Sequence, residues 1–509
     1  MLNFFRMALY VKTKKLDFKT GDPLVVLLHR ADAEELGVKE GQKVIFNWRD
    51  LELYVVINLT DTEVSRGEVG LYFEIWESND IPNNEMASIN LLERPDSIEY
   101  IKSKILGQRL SREQIYEIMQ DISDRKIREV EIAYFMACFF NPGFDDEEVR
   151  DIAVGMARAG DIIDFTNING NGKLVVDKHS IGGIAGKGVT PILVPIIASE
   201  NLIIPNTSTR AITTPAGTSD ILEVVMPVSF TPETVKEVVK KTNACMVWGG
   251  SMKLAPADDV LISVEKELHA QAYGKLIASI VAKKISMGIT DIVVDIPYGK
   301  SAKVKTPEEA EMLGRKLKKT FLSVGINCET FLRFVTSPDG RGIGPVLEMR
   351  DILRVLERDS QRPLTLEKTA VEMAGVLLEM AGKATKGKGR ELAQKKLDNG
   401  DALKKFWEIA TTQGAASPID SINLVPGDYT HPVTINKTGS IRFIDNHEIV
   451  KICRALGNPT IRNAGIYFKR FIGESVKEGD VVMMMYASSP ERLEMGISEV
   501  DINKLFEIV

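Results

Sequence analysis

The sequence predicts a multidomain α/β protein, with a β-rich N-terminal domain, a small helical domain, a larger α/β domain and an α+β C-terminal domain. Three observations predict it. The chain is 509 residues long, more than one ordinary core supports. The period of its apolar residues changes along the chain, from short β-rich runs to a period near 3.6 and then to strands alternating with helices. Glycine loops follow the short apolar strands of the middle part.

Composition narrows the function classes. With 44% hydrophobic and 27% charged residues the chain is globular, neither collagen, coiled coil nor a disordered polymer. Its 64 Lys+Arg against 71 Asp+Glu give a net charge of −7, so no global field draws nucleic acid or an anionic membrane to it. An anionic ligand must therefore be held by a local site. No apolar run reaches the roughly 20 residues of a membrane span, and MLNFFRMALYVKTKK lacks the pattern of a signal peptide, which reads as a cytoplasmic protein. Cys138, Cys245, Cys328 and Cys453 are far apart without a CxxC pair, so they are expected as buried thiols and no metal site is expected.

Residues 1–95 carry the runs ALYVKT, PLVVLL, QKVIFNW, LELYVVINL and VGLYFEI, separated by turns. Within them ADAEELGVKEGQKVIF reads as a short helix, a glycine turn and a strand. Residues 98–170 read as helices: Ser111 and Gln114 have capping-box spacing, and EVEIAYFMACFF is apolar nearly all round. Residues 171–415 read as the α/β domain, where PILVPIIAS is a helix and Thr231-Pro232 and Thr306-Pro307 open two others, Glu309 standing at the third helical position of the second. KATKGKGRELAQKK reads as a solvated loop and helix start. Residues 420–509 read as a separate α+β domain.

The segment with most chemical content is VVDKHSIGGIAGKGVT, Val175 to Thr190. A strand running into Lys178, His179 and Ser180, then four glycines, then a helix, gathers N–H groups, a hydroxyl and an ammonium in one volume that suits a phosphate. It is not a P-loop, because Gly188 follows Lys187, and no GxGxxG is present. A second loop, PNTSTRAITTPAGTSD from Pro205 to Asp220, offers seven Ser or Thr hydroxyls and the single cation Arg210, whose planar fork suits an oxyanion. Ligands of open α/β sheets gather at the carboxyl ends of the strands, where both loops are expected. In KLIASIVAKK, Ser279 and Lys283 share a helical face, and DIPYGKSAKV adds a glycine loop with Lys300 and Lys303. Asp258 and Asp259 in KLAPADDV are weighed as a metal pair, but adjacent acids before a strand read as a cap or turn.

These residues resemble the thymidine and pyrimidine nucleoside phosphorylase family. DKHSIGG at 177–183, the Ser-x-Arg and Ala-Gly-Thr of the second loop, LAPADD at 254–259, and AS with a lysine four residues on at 278–283 carry the resemblance over about 98–509. TSTRAITTPAGTSD, the longer IAGKG loop and the N-terminal module are similar to its archaeal-type, AMP-cleaving branch. The resemblance implies a nucleoside-phosphorylase-like fold. A helical domain of about 98–170, with a return near 258–290, faces the α/β domain across a hinged cleft. It places phosphate on Lys178, Ser180, Thr190, Ser208 and Thr218. It places the nucleotide on Gly183, on Thr209, Arg210, Ala211, Ile212, Thr213 and Thr214, and on Thr218, Ser279 and Lys303. Two departures stand out. The family's proton-donor aspartate, eight residues before Ser279, is Gln271, an amide that donates hydrogen bonds but is no general acid. Where the nucleoside enzymes place an arginine on the base, the nearby residues are Ser263 and Val264.

The activity implied is phosphorolysis of a nucleoside 5′-monophosphate, AMP and phosphate giving adenine and ribose 1,5-bisphosphate. Inorganic phosphate is a substrate and no cofactor is expected. The catalytic candidates are His179, Gln271 and Lys283, with His269 a further group that would assist the leaving base. Partners are expected to be the nucleotide, phosphate and further copies of the chain. The alternatives are a pyrimidine nucleoside phosphorylase, a phosphoribosyltransferase requiring magnesium and a diphosphate donor, and a nucleotide-binding protein without turnover.

Overall fold

The computed structural model describes residues 8–21, 23–165, 168, 174–211, 214–252, 254–268 and 272–509, with the backbone alone at 266–268. Ile212, Thr213, His269 and Gln271 lie outside the described residues. The chain forms two compact units, Met1–Ala159 with Pro256–Leu276, and Gly160–Ala255 with Ile277–Val509. The return segment of the first unit thus ends at Leu276, and Ser279 and Lys283 belong to the second.

The N-terminal runs become strands β1 (Ala8–Lys15), β2 (Val25–His29), β3 (Lys43–Trp48), β4 (Leu51–Thr60), β5 (Glu68–Leu71) and β6 (Met86–Leu91). They close into a barrel in the order β1-β5-β2-β4-β3-β6, which leaves no unpaired sheet edge. Val26, Leu28, Val44, Phe46, Val55 and Ile57 fill it. Helices α1 (Arg30–Leu36) and α2 (Phe73–Ser78) connect the strands. The helical segment gives α3 (Ser97–Ile105), α4 (Arg112–Ser123), α5 (Glu129–Ala137) and α6 (Asp146–Arg158). Ser111 caps α4 reciprocally: its Oγ accepts from Gln114 N at 3.3 Å, and Gln114 Oε1 accepts from Ser111 N at 2.9 Å.

Strand β7 (Val176–Ser180) is followed by α7 (Val189–Ala198), β8 (Ile204–Ser208), α8 (Thr218–Leu222), α9 (Pro232–Thr242) and β9 (Ala244–Trp248). Then come α10 (Pro256–Leu268), α11 (Tyr273–Ser286), β10 (Asp291–Tyr298), α12 (Pro307–Ser323) and β11 (Asn327–Phe334). Asp258 and Asp259 stand in the first turn of α10, not before a strand: Pro256 opens the helix and acids there meet its positive end. Asp258 pairs with the buried Lys275 at 3.2 Å. Thr231 and Thr306 cap α9 and α12, each accepting from the third helical N–H.

Strands β11, β10 and β7 pair in parallel, as do β8 and β9, and a parallel bridge from Val175 to Ile203 sets β8 beside β7. The loops after β7, β8 and β10 therefore open at one edge. Beyond Arg341 the strand–helix alternation expected to residue 415 stops. After the short β12 (Gly342–Ile343) come α13 (Pro345–Leu356), α14 (Leu364–Met380), α15 (Gly389–Asp398) and α16 (Asp401–Thr412). Their Leu, Met and Ala favour helix, and they close the core around α7.

The C-terminal segment adds β13 (Tyr429–Thr434), β14 (Gly439–Ile444), α17 (Asn446–Leu456), β15 (Gly465–Phe468), β16 (Ser475–Val476), β17 (Val481–Ala487), α18 (Pro490–Ser498), α19 (Ile502–Leu505) and β18 (Phe506–Ile508). These pair as the antiparallel sheets β12-β15-β17-β13 and β16-β14-β18 over their own core. Among the described residues no helix is long and apolar enough to cross a membrane.

Candidate active site

The site begins inside β7. Asp177 is fully buried, and its Oδ1 accepts from the backbone N–H of Lys178 and from Asn206 Nδ2, each at 2.7 Å. Lys284 on α11, itself 1% exposed, donates to Asp177 Oδ2 at 2.5 Å. The carboxylate thus fixes the strand, its neighbour β8 and α11 around the next two residues. Lys178 is buried and donates from Nζ to Ser180 Oγ at 3.0 Å. Burial, and then the nearby Lys187, bring its pKa down to about 7, against the opposing pull of Asp295 and Asp177. His179 is pushed well below the ordinary imidazole range by burial and by Lys284, Lys178, Lys283 and Lys187. It is therefore a neutral ring at pH 7, able to donate one N–H but carrying no spare proton.

A second buried network lies beneath the glycine loop. Lys187 Nζ stands 2.5 Å from Asp295 Oδ2 on β10, and Arg333 Nε on β11 donates to Asp295 Oδ1 at 3.1 Å. Arg333 spends the rest of its fork on Asp339, at 2.7 and 2.8 Å. Burial would raise the Asp295 carboxyl, but Lys187 and Arg333 hold it at about 2. Together Lys178, Lys187, Lys284 and Arg333 face Asp177, Asp295 and Asp339. Lys178 is the member of this network whose proton burial weakens, and a bound dianion would restore it.

The glycine positions bring three loops together. Gly182 has φ +78, and a Cβ there would lie 2.7 Å from Lys303 Cβ. A Cβ at Gly183 would lie 2.0 Å from Thr214 Cγ2, and one at Gly217 2.4 Å from the Thr209 carbonyl oxygen. Ile184, Ala302 and Val335 form a small apolar cluster behind them. Gly183, Thr214 and Lys303, far apart in sequence, are therefore neighbours. Ser208 Oγ lies 2.8 Å from Ser219 Oγ, and Asp220 Oδ2 accepts from Ala211 N and Gly217 N at 2.7 and 2.8 Å, closing the second loop onto α8 and Thr218. Thr190 sits buried in the first turn of α7, and Lys283 Nζ donates to Ser279 Oγ at 3.4 Å on α11.

Arg210 does not supply the oxyanion fork that its loop suggests. Its two terminal nitrogens donate to Glu223 at 2.7 Å each, and the guanidinium lies 4.7 Å from the centre of the Trp248 ring. Its charge is spent on a carboxylate thirteen residues downstream, on the residue that ends the short α8. Lys187 and Lys284, paired with Asp295 and Asp177, are cations of the site's buried frame. Lys187 lacks the following Ser or Thr of a P-loop, and only its meeting with Asp295 on β10 places it in that frame. Lys284 stands next to Lys283, and only the helical phase turns it towards Asp177 rather than solvent.

Residues 98–160 match the helical bundle domain of a glycosyl transferase family, residues 172–403 the a/b domain of a glycosyl transferase family, and residues 440–505 the pyrimidine nucleoside phosphorylase C-terminal domain. The AMP phosphorylase of Methanocaldococcus jannaschii is 36% identical over 489 residues, covering 96% of this chain and 95% of the relative. The chain belongs to the AMP phosphorylase family. The AMP phosphorylases of Pyrococcus furiosus, 37% identical, and Thermococcus kodakarensis, 36% identical, each match 96% of this chain and 95% of their own. Among solved structures, anthranilate phosphoribosyltransferase from Thermus thermophilus superposes with a TM-score of 0.50 at 17% identity, over 62% of this chain and 99% of its own. That likeness concerns the fold alone.

Proposed function

We propose that this member of the AMP phosphorylase family cleaves AMP with inorganic phosphate, releasing adenine and ribose 1,5-bisphosphate. The observation that carries this reading is the adjacency of two anion-receptive clusters at one sheet edge. Lys178, Ser180 and Lys187 form one, and Gly183, Thr214 and Lys303 the other. A nucleoside needs one such cluster, for phosphate; a nucleoside 5′-monophosphate needs a second, for its own phosphate. The relatives' name supports the same substrate.

In the reaction a phosphate oxygen forms a bond to C1′, the C1′–N9 bond breaks, and its electron pair leaves with the base, which takes up a proton. Lys178 and the hydroxyls of Ser180, Ser208 and Thr218, with Thr190 at the foot of α7, would hold the attacking dianion beneath C1′. The dianion restores to Lys178 the proton that burial weakens. Ser279 and Lys283 would face the base. Neutral His179 would donate a hydrogen bond as negative charge develops there, Gln271 would donate another, and the proton would come from Lys283 or from water. We place the enzyme in the cytoplasm as a homo-oligomer that needs no cofactor beyond its substrate phosphate.

The test is incubation of the pure enzyme and phosphate with AMP, CMP, UMP, uridine, thymidine and adenosine, with free base separated by chromatography. Adenine released from AMP well ahead of the other bases is expected. Release from uridine or thymidine alone would make it a nucleoside enzyme, and nucleotide binding without any release would make it a binding protein.

A further inference from the structure

Helix α17 belongs to the C-terminal domain and buries Ile449, Ile452, Cys453 and Leu456 in that domain's own core. Its first position and one flank meet the nucleotide loops. Asn446, at its first position and 4% exposed, accepts from the backbone N–H of Ala185 at Oδ1 and donates from Nδ2 to Ser301 Oγ, both at 3.1 Å. Two turns on, Arg454 Nη2 donates to the Thr214 carbonyl oxygen at 3.2 Å. Ala185 lies two residues after Gly183, Ser301 two before Lys303, and Thr214 packs on Gly183. One rigid helix thus touches all three loops that would bind the nucleotide's 5′-phosphate. Asp445, which accepts from His447 N at 2.7 Å, locks the start of that helix.

We propose that α17 holds the 5′-phosphate subsite in shape, with Asn446 as its positioning residue, so that the C-terminal domain makes the enzyme select a nucleotide over a nucleoside. The inference rests on the nucleotide reading above. A single amide satisfies a buried N–H on one loop and a hydroxyl on another, so the spacing between Gly183 and Lys303 depends on it. In the phosphate cluster, Lys178 and Ser180 stand on β7, which Asp177 fixes, and Lys187 is anchored to β10 by Asp295, contacts that Asn446 does not make.

The experiment is calorimetric titration of the full chain with AMP in phosphate-free buffer, with adenosine, and with inorganic phosphate alone. Asn446→Ala is expected to weaken AMP by about fivefold or more, the cost of a buried N–H left unpaired. Adenosine and phosphate are expected to change by less than about twofold on the same grounds. Ser301→Ala and Arg454→Ala should move AMP in the same direction by less, and they decide the question if Asn446→Ala does not fold. AMP affinity unchanged in the variants, or all three ligands weakened alike, would overturn the proposal. A wild-type protein that binds AMP no better than adenosine would contradict the nucleotide reading itself. A wild-type preference for AMP that the variants leave intact would contradict this inference alone.

Discussion

Replacing Lys178 with Met should make the phosphate-free protein more stable while abolishing turnover. Lys178 is 8% exposed, and its pKa falls from 10.5 to about 7 through burial and the nearby Lys187. Between pH 7 and 10.5 the unfolded chain binds the proton more readily than the folded one, so stability rises with pH across that window and the full penalty applies below pH 7. At about 1.4 kcal/mol per tenfold in protonation, the penalty at pH 7 is about 4 kcal/mol. Methionine keeps the length of the side chain and removes the charge. It also removes the hydrogen bond to Ser180, worth about 1 kcal/mol, so the net gain expected is about 3 kcal/mol. Differential scanning calorimetry at pH 6.5 and pH 9.5, with and without phosphate, measures it. The variant should melt higher than wild type without phosphate, with the larger advantage at pH 6.5. Saturating phosphate should stabilise wild type, by about 2.7 kcal/mol at a hundredfold over its Kd, and leave the variant unchanged. A variant that melts lower than wild type in phosphate-free buffer, or that still turns over AMP, would refute the reasoning.

Three further outcomes follow from the same geometry. Gly183→Ala places a methyl 2.0 Å from Thr214 Cγ2, so the second loop must shift; kcat/KM for AMP should fall by about tenfold or more with little change in melting temperature. In the free enzyme His179 stays neutral to well below the ordinary imidazole range, so the pH profile of kcat/KM should lack a limb assignable to it. His179→Gln, which keeps an N–H donor, should retain more activity than His179→Ala, and equal losses would remove the hydrogen-bond role. Glu348 is buried on α13, where its Oε1 accepts from Gly344 N at 3.2 Å, and burial raises its pKa to about 8. The folded state holds this proton more tightly than the unfolded one, so its contribution is lost as pH rises from about 4.5 through about 8. Glu348→Gln should therefore melt higher than wild type at pH 9 and near it at pH 5, and a variant less stable at pH 9 would contradict that assignment.

Local rules were enough wherever one turn of chain decides the outcome. Ser111, Thr231 and Thr306 cap helices as their spacing requires, and Lys178 and Ser180 stand together because they alternate on one strand. The misreadings arise where a residue outside the motif decides the outcome. Arg210 looks like an oxyanion fork until Glu223 folds back onto it, and Asp258 looks like part of a turn until Pro256 starts a helix there. Asp177, Asp295 and Lys284 form the electrostatic frame of the site, yet each is an ordinary charged residue in its own segment. Their role exists only where β7, β10 and α11 meet. Asn446 is more remote still, 261 residues from the Ala185 N–H that it accepts from.

In the proposed reaction this chain transfers the ribose 5-phosphate of AMP to inorganic phosphate. Phosphorus NMR of the pure enzyme with AMP and phosphate tests it most directly. The AMP and inorganic phosphate signals should decay together while two ester signals of equal intensity grow, those of the 1- and 5-phosphates of one ribose. Unchanged AMP and phosphate signals, or a single new ester appearing only when a nucleoside is supplied, would contradict it.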